Sequence, residues 1–229
     1  MTSNAAHAIS PPCWEPNEAE YWLYVEYTSN IYKVFWTIEC EDEPDLSSFP
    51  TGPYRISDEM SRTLQSSTLL EYGSDAVVRE QNLHSFPIVK VAHPDEAARN
   101  RISHEFTMLQ ILSELKVPTP VFDTQALTDE KGIYGYRMER LYKLDYDKLQ
   151  EYKWDVENML RMLHSHGIAF GDLHPGNIMR NSVGELVFID PSCAGYLEEP
   201  VPSFIRPEIY QATIFHQTQD EYRLASFFA

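Results

Sequence analysis

The stretch Phe170–Asn177, with the sequence Phe-Gly-Asp-Leu-His-Pro-Gly-Asn, constrains this chain more than any other. It follows a helical pattern and precedes a short strand, a turn at Ser182–Gly184 and an apolar run that ends in Asp190. A carboxylate such as Asp172 can orient a hydroxyl and accept its proton, and the oxygens of Asn177 and Asp190 suit magnesium. An isolated Asp and Asn at this spacing would be a weak signal, but the ordered set of elements is specific. These residue types are the ones that a metal ion and a hydroxyl acceptor require.

The same residues resemble the catalytic loop H-R-D-x-x-x-x-N of the protein-kinase-like superfamily, followed by its D-F-G aspartate. The wording Gly-Asp-Leu-His-Pro-Gly-Asn is most similar to the aminoglycoside and choline kinase branch. The resemblance implies that Asp172 is the catalytic base and that Asn177 and Asp190 hold Mg²⁺. His174 is implied to stand where protein kinases have a lysine that helps to hold the γ-phosphate. Phe170 replaces the histidine of the motif.

Charge and composition exclude several other classes. The 229 residues carry a net charge of −17 with a pI near 4.8, so the chain should repel nucleic acid and anionic membranes. No apolar run is long enough to span a bilayer, and the first residues lack a signal-peptide pattern. The three cysteines are far apart and predict free thiols. We therefore expect a cytoplasmic or nuclear protein with neither nucleic-acid nor membrane partners.

The first 60 residues predict an extension ahead of the kinase-like pattern. Residues 1–20 are rich in proline and predict an irregular arm. Aromatic and β-branched residues predict a β-hairpin from Tyr21–Tyr27 and Ile31–Ile38, followed by an acidic loop at Glu39–Asp45. Ile56–Gln65 predicts a short helix with Ser57 as its N-cap.

The kinase-like pattern starts near residue 67 with two predicted strands, Thr68–Tyr72 and Ala76–Arg79, joined at Gly73. In kinases a glycine-rich loop at this place covers the phosphates. Only Gly73 of that loop is a glycine here, so an ordinary hairpin turn is an equal alternative. The resemblance implies that Gly73 approaches the nucleotide.

A lysine inside an apolar strand is the next signal. Lys90 lies in the predicted strand Phe86–Ala92 and needs an anionic partner unless it snorkels to the strand end. Glu105 falls on the apolar face of the predicted helix Asp95–Leu115, where a carboxylate needs a cation. The strand resembles the V-A-I-K element. The resemblance implies that Lys90 contacts phosphates and pairs with Glu105, with Glu96 as the rival partner, and that Ile88 touches adenine.

Two further strands, Val121–Leu127 and Tyr134–Met138, are predicted before the position of the kinase hinge. The resemblance implies that backbone groups of Glu139 and Leu141 bind adenine. Lys148–His166 predicts the helix that leads into the catalytic loop, and its histidines are expected to be exposed or to cap.

The last segment also resembles kinase elements. Arg206-Pro207-Glu208 is similar to the A-P-E element, and Asp220-Glu221-Tyr222-Arg223-Leu224 to the start of the next family helix. The resemblance implies that Asp220 supports the backbone of the catalytic loop. The chain ends at Ala229, so the sequence predicts a C-lobe shorter than that of the family.

Together these features predict an α+β, bilobal protein-kinase-like fold, with an antiparallel-sheet N-lobe, one αC-type helix and a truncated, mainly helical C-lobe. The expected regions are an extension at 1–60, an N-lobe at 61–141 and a partial C-lobe at 142–229. The predicted function is an ATP- and Mg²⁺-dependent phosphotransferase that acts on a hydroxyl of a protein Ser/Thr or of a small molecule. The alternative is a pseudokinase that serves as a nucleotide-binding or interaction module.

Overall fold

The computed structural model describes residues 6–9, 12–15, 20–27, 30–37, 54–82, 85–205, 207 and 209–228. The chain divides into two compact units, Met1–Ser66 and Ser67–Ala229. Among the described residues, no helix combines the length and the hydropathy that crossing a bilayer requires.

The first unit is a small antiparallel sheet with one helix. Its elements are β1 His7–Ala8, β2 Cys13–Glu15, β3 Glu20–Tyr27, β4 Asn30–Thr37, β5 Tyr54–Arg55 and α1 Asp58–Gln65. Strands β3 and β4 form the predicted hairpin, and the N-cap of α1 is Ser57, whose hydroxyl accepts the N–H of Met60. The prediction of an irregular arm was wrong, because β1 and β2 both pair with β3 through backbone hydrogen bonds that need no side-chain pattern. The predicted acidic loop Glu39–Asp45 lies outside the described residues.

The second unit begins with a five-stranded antiparallel sheet of order β6-β7-β8-β10-β9, against which one long helix packs. The elements are β6 Thr68–Tyr72, β7 Ala76–Glu80, β8 Ile88–Ala92, α2 Glu96–Glu114, β9 Leu127–Asp129 and β10 Gly132–Met138. The side chain of Asp95 caps α2 by accepting the N–H of Ala98 at 2.8 Å. The prediction of a strand over Val121–Leu127 was wrong. Asp123 accepts the N–H of Gln125 in an Asx turn, which interrupts the extended chain.

A second, mainly helical lobe follows. Its elements are β11 Tyr142–Lys143, α3 Lys153–Ser165, β12 Ile168–Ala169, β13 Ile178–Arg180, β14 Leu186–Phe188, β15 Gly195–Tyr196 and α4 Gln217–Phe227. The predicted helix Lys148–His166 begins instead as a 3-10 segment at Tyr146–Tyr152, because Lys148 has non-helical backbone angles. An antiparallel-sheet lobe with one αC-type helix, joined to a largely helical lobe, confirms the predicted bilobal kinase-like fold.

Two glycines allow close backbone approaches that shape the site. A Cβ at Gly135 on β10 would overlap the carbonyl oxygen of Lys90 on β8. Gly171 has a φ of +82°, and a Cβ there would overlap the carbonyl oxygen of Cys193. These positions hold the strand of Lys90 and the loop of Asp172 against their neighbours.

Candidate active site

Lys90 lies at the centre of a buried ion cluster between the two lobes. Its Nζ is 2.8 and 2.9 Å from the two carboxylate oxygens of Glu105 and 2.8 Å from Oδ1 of Asp190. The predicted pairing of Lys90 with Glu105 is present, whereas the rival Glu96 is exposed on the first turn of α2. Strand β8, helix α2 and the segment after β14 thus bring three charged groups to one point.

The cluster holds two carboxylates for one ammonium, and this imbalance shifts the pKa values. Burial and then the nearby Asp190 raise the pKa of Glu105 to about 8, against the opposing effect of Lys90. Desolvation also works against ionisation of Lys90 and of the partly exposed Asp190, but their mutual attraction outweighs it. The pKa of Asp190 is therefore lowered and that of Lys90 raised. The hydroxyl of Tyr136 donates to Glu105 at 2.5 Å, because Tyr136 on β10 is in register with Lys90 on β8.

Within the catalytic loop, Asn177 is fixed in one orientation. Its Nδ2 donates to the carbonyl oxygen of Asp172 at 2.9 Å, which leaves Oδ1 available to a cation. The N–H of Ile189 donates to the carbonyl of Asn177 at 3.0 Å and ties the loop to the strand that precedes Asp190. Asp190 itself has left-handed backbone angles, φ 59° and ψ 49°, and its side chain keeps 40% exposure in the cleft. These backbone angles turn the side chain of Asp190 toward Lys90, whose Nζ lies 2.8 Å from Oδ1.

The side chain of Asp220 on α4 is fully buried and supports the backbone of the loop. Its two carboxylate oxygens accept the backbone N–H groups of Phe170 at 2.7 Å and Gly171 at 2.8 Å, which confirms the predicted buttress. The expectation that His164 is exposed or capping was wrong. Its side chain is 13% exposed and its Nε2 lies 3.0 Å from Oδ2 of Asp220. Because α3 packs on α4, this face of α3 is turned inward.

Arg223, one turn beyond Asp220 on α4, contacts the predicted base. Its Nη1 donates to Oδ1 of Asp172 at 2.8 Å, and its Nη2 donates to the carbonyl of Ile209 at 2.6 Å. His174 approaches the other carboxylate oxygen, with Nε2 3.8 Å from Oδ2. The Nδ1 of His174 accepts the N–H of Gly176, so Nε2 carries the proton in the neutral ring. Asp172 thus lies between an arginine and a histidine.

The turn between β6 and β7 is closed and anchored. The N–H of Gly73 donates to the carbonyl of Ala76 at 2.8 Å. Asp75 in this turn pairs with the buried Arg101 of α2, Nη2 to Oδ1 at 2.5 Å, and Nη1 of Arg101 donates to the carbonyl of Phe204 at 3.1 Å. Arg101 therefore connects the turn both to α2 and to the segment that follows the metal-ligand candidates.

A cleft of about 320 Å³ brings most of the predicted site residues together. The predicted residues in its lining are Gly73, Lys90, Glu105, His174, Asn177 and Asp190. Asp172 borders it through its hydrogen bond to Asn177. A small-molecule site is expected to be concave and partly apolar with a few polar groups, as here.

The structure does not bring Ile88, Glu139 or Leu141 to the lining of this cleft. Ile88 is buried in the core that α2 covers, and Leu141 packs against the same core. The N–H of Glu139 donates to the carbonyl of Val121, so of its two backbone groups only the carbonyl oxygen remains to bind adenine. Met138, the residue before this hinge, lines the cleft instead.

The donor set suits magnesium better than a metal that needs many protein ligands. The described residues contain no group of three or more His, Cys, Asp or Glu side chains placed to bind a metal. Asn177 and Asp190 offer hard oxygen ligands on the cleft, and Mg²⁺ normally uses one or two such ligands together with phosphates and water. Cys193 is not a further candidate nucleophile, because burial and the neighbouring Asp172 raise the pKa of its thiol to about 12.

Comparison with known families agrees with this geometry. A sequence model of the RIO domain matches residues 74–205, which is more than half of the chain. The chain belongs to the RIO domain family. RIO domains are protein-kinase-like, so the predicted superfamily is confirmed. The matched range includes every predicted site residue except Gly73, which directly precedes it.

Two individual proteins are similar to parts of this chain. The serine/threonine-protein kinase YPK3 of Saccharomyces cerevisiae is 27% identical over 107 residues, which cover 42% of this chain and 20% of the yeast protein. The chain thus matches about a fifth of the length of this curated relative. A chain in a solved structure of the CAK complex from Chaetomium thermophilum, bound to ATP-gamma-S, is also similar. The match covers 74% of this chain and 62% of that chain, with 13% sequence identity and a TM-score of 0.49.

Three residues of the candidate site were not predicted from the sequence. Arg101 precedes Glu105 by one helical turn and Arg223 follows Asp220 by one turn, so helical spacing places each on the face of a recognised residue. Tyr136 could have been found only from the pairing of β8 with β10, which no local pattern specifies.

Proposed function

We propose that this RIO domain binds Mg-ATP in the cleft and transfers the γ-phosphoryl group to a hydroxyl. The observation that carries the proposal is the position of Lys90 between Glu105 and Asp190, at a cleft that Asn177 also lines. A buried ion pair adds little to the stability of the fold, because the cost of desolvating the charges offsets their attraction. Binding of phosphates and of a metal ion therefore explains this cluster better than stability does.

Each residue has a distinct task in this proposal. Lys90, positioned by Glu105, donates to the phosphates, and Asn177 and Asp190 hold the magnesium ion. When bound, the metal supplies charge neutralisation on the transferred phosphoryl group. Asp172 orients the acceptor hydroxyl and accepts its proton through the carboxylate oxygen that Arg223 leaves free.

The acceptor is a protein Ser/Thr or a small-molecule alcohol. The net charge of −17 argues against nucleic acid and anionic membranes as partners. The proposed use of ATP and Mg²⁺ is consistent with a location in the cytoplasm or the nucleus, and so is the free, buried thiol of Cys193.

One observation favours a second candidate function, a nucleotide-binding module without turnover. Arg223 occupies Oδ1 of Asp172, so only one carboxylate oxygen is left to orient an acceptor hydroxyl. Such a module would bind Mg-ATP through Lys90, Asn177 and Asp190 with no phosphoryl transfer.

Nucleotide binding is tested by thermal unfolding in the presence of Mg-ATP. A ligand at about 100 times its Kd stabilises the native state by about 2.7 kcal/mol, which raises the Tm by several degrees. Lys90→Met should abolish most of the rise, and ATP with a chelator should give less of it than Mg-ATP. A Tm that saturating Mg-ATP leaves unchanged would show that the cleft is not a nucleotide site.

A further inference from the structure

A second cavity, of about 600 Å³, adjoins the catalytic loop. His174 and Pro175 line both this cavity and the nucleotide cleft, so the loop of Asp172 forms a wall common to the two. The remaining lining comes largely from α4 and the segment before it, including Tyr210, His216 and Arg223. A volume of this size suits a small molecule.

The charge of this cavity differs from that of the rest of the chain. Its described lining contains one strong cation, Arg223, together with His174 and His216, and no aspartate or glutamate. The nucleotide cleft is lined by charges of both signs, with four carboxylates and three cations: Glu71, Asp75, Glu105 and Asp190, and Lys90, Arg101 and Lys143. The absence of acidic side chains from the described lining leaves a cationic ligand without a partner there and favours an anionic one.

Arg223 is placed to hold an anion beside the base. A guanidinium has five N–H donors, and the structure uses Nη1 on Asp172 and Nη2 on the carbonyl of Ile209. Its side chain remains 25% exposed, so the unused donors can meet a ligand in the cavity. A carboxylate or phosphate bound there would lie next to Asp172.

We propose that this cavity is the acceptor site and that it takes a small hydroxyl compound bearing an anionic group, a carboxylate or a phosphate. The anion binds Arg223, and the hydroxyl lies on Oδ2 of Asp172. This inference rests on the proposed function. In the transfer step the hydroxyl oxygen forms a bond to the γ-phosphorus, the bond from that phosphorus to the β–γ bridging oxygen breaks, ADP leaves, and the hydroxyl proton passes to Asp172.

An acceptor that carries an ammonium group in place of the anion has no favourable partner in the described lining of this cavity. Its ammonium would meet Arg223 and find no carboxylate among the described lining residues, while Asp172 is already paired. Like charges brought together in a partly desolvated site are unfavourable, so the cavity rejects amines as well as attracting anions.

The test measures binding of four probes with one carbon skeleton to the full chain saturated with Mg²⁺ and a non-hydrolysable ATP analogue. The probes are glycerol, glycerate, glycerol 3-phosphate and 3-amino-1,2-propanediol, titrated by calorimetry. We expect at least one anionic probe to bind about tenfold or more tighter than glycerol, and the amine to bind most weakly. The ratio of glycerate to glycerol 3-phosphate distinguishes a carboxylate acceptor from a phosphate acceptor.

Variants assign the effect to Arg223. Arg223→Gln should remove the preference for the anion, and Arg223→Lys should restore part of it, because lysine keeps the charge but loses the planar fork. Lys148→Gln is the matched control: it removes the same charge from an exposed side chain outside the cavity and should leave the preference intact. Unfolding curves for all variants show whether each is folded.

Several outcomes would overturn the inference: tightest binding by the amine, equal binding of all four probes, no binding of either anionic probe, or an unchanged preference in folded Arg223→Gln. A failure of the proposed function is distinguishable. In that case the ATP analogue does not bind, while the same titrations on the nucleotide-free protein still report whether the cavity prefers anions.

Discussion

The raised pKa of Glu105 predicts that Mg-ATP binding releases a proton. In the free protein one ammonium serves two carboxylates, and the pKa of Glu105 rises from 4.5 to about 8. Burial and the carboxylate of Asp190 both raise this pKa; when Asp190 turns to a metal while Lys90 keeps its contact with Glu105, the second cause is removed, so the pKa of Glu105 should fall. An acid that must lose its proton on binding makes affinity rise with pH below its pKa in the free protein and level off above it.

The size of the effect follows from the linkage of one proton. Affinity should fall by up to tenfold for each pH unit below about 8, or about 100-fold at about pH 6, if Glu105 must be ionised in the complex. The titration of ATP itself adds to this slope, and Glu105→Gln is the control that carries only that part. Without nucleotide, the same raised pKa predicts that the free energy of unfolding decreases as pH rises from 4.5 toward 8, because the native state then binds more protons.

Isothermal titration calorimetry of Mg-ATP binding, in buffers of different ionisation enthalpy, measures both the affinity and the protons released. We expect proton release at neutral pH for the wild type beyond that of Glu105→Gln, and a steeper dependence of its affinity on pH. Parallel pH profiles for the two proteins, with equal proton release, would refute the shared-ammonium reasoning.

Three further predictions concern the same cluster and its supports. Lys90→Met should weaken Mg-ATP binding more than Glu105→Gln does, because it removes the cation that faces the phosphates and leaves two carboxylates there without a partner; equal affinities in titration calorimetry would contradict this. Asp220→Ala leaves two buried N–H groups of the catalytic loop without acceptors, so urea unfolding should show a loss of about 2–6 kcal/mol, and a change within error would contradict the buttress. Asp75→Asn should tighten Mg-ATP binding while changing adenosine binding little, because it removes a negative charge from the cleft and releases Arg101; weaker Mg-ATP binding would instead assign Asp75 a supporting role.

The candidate site residues could be predicted because the proposed kinase chemistry requires particular residue types at fixed spacing. The positions of Asp172 and Asn177 follow from one loop, and the hairpin after them places Asp190. The pair of Lys90 and Glu105 was accessible because a charge in an apolar pattern demands a partner. Local patterns of this kind also predicted the hairpin β3–β4 and the helices α1 and α2.

The remaining features depend on tertiary contacts that no local pattern encodes. His164 was misjudged because the packing of α3 on α4, which buries it against Asp220, is set by the core and not by its own helix. Strand β9 was misplaced because an Asx turn at Asp123 ended the extended segment. Helical spacing places Arg223 on the face of Asp220, but its contact with Asp172 was not predictable because the two residues are 51 apart in sequence.

The most direct test of the proposed phosphotransferase is a transfer assay with ATP labelled in the γ-phosphate, with water and hydroxyl acceptors present, on wild type, Asp172→Asn and Asp190→Asn. Asp172 acts mainly in the transition state, so Asp172→Asn should keep Mg-ATP affinity near that of the wild type and reduce transfer by roughly 10²–10⁴-fold. Asp190→Asn should impair binding and transfer together. A wild type that binds Mg-ATP but transfers phosphate neither to an acceptor nor to water would contradict the phosphotransferase and identify the chain as a nucleotide-binding module.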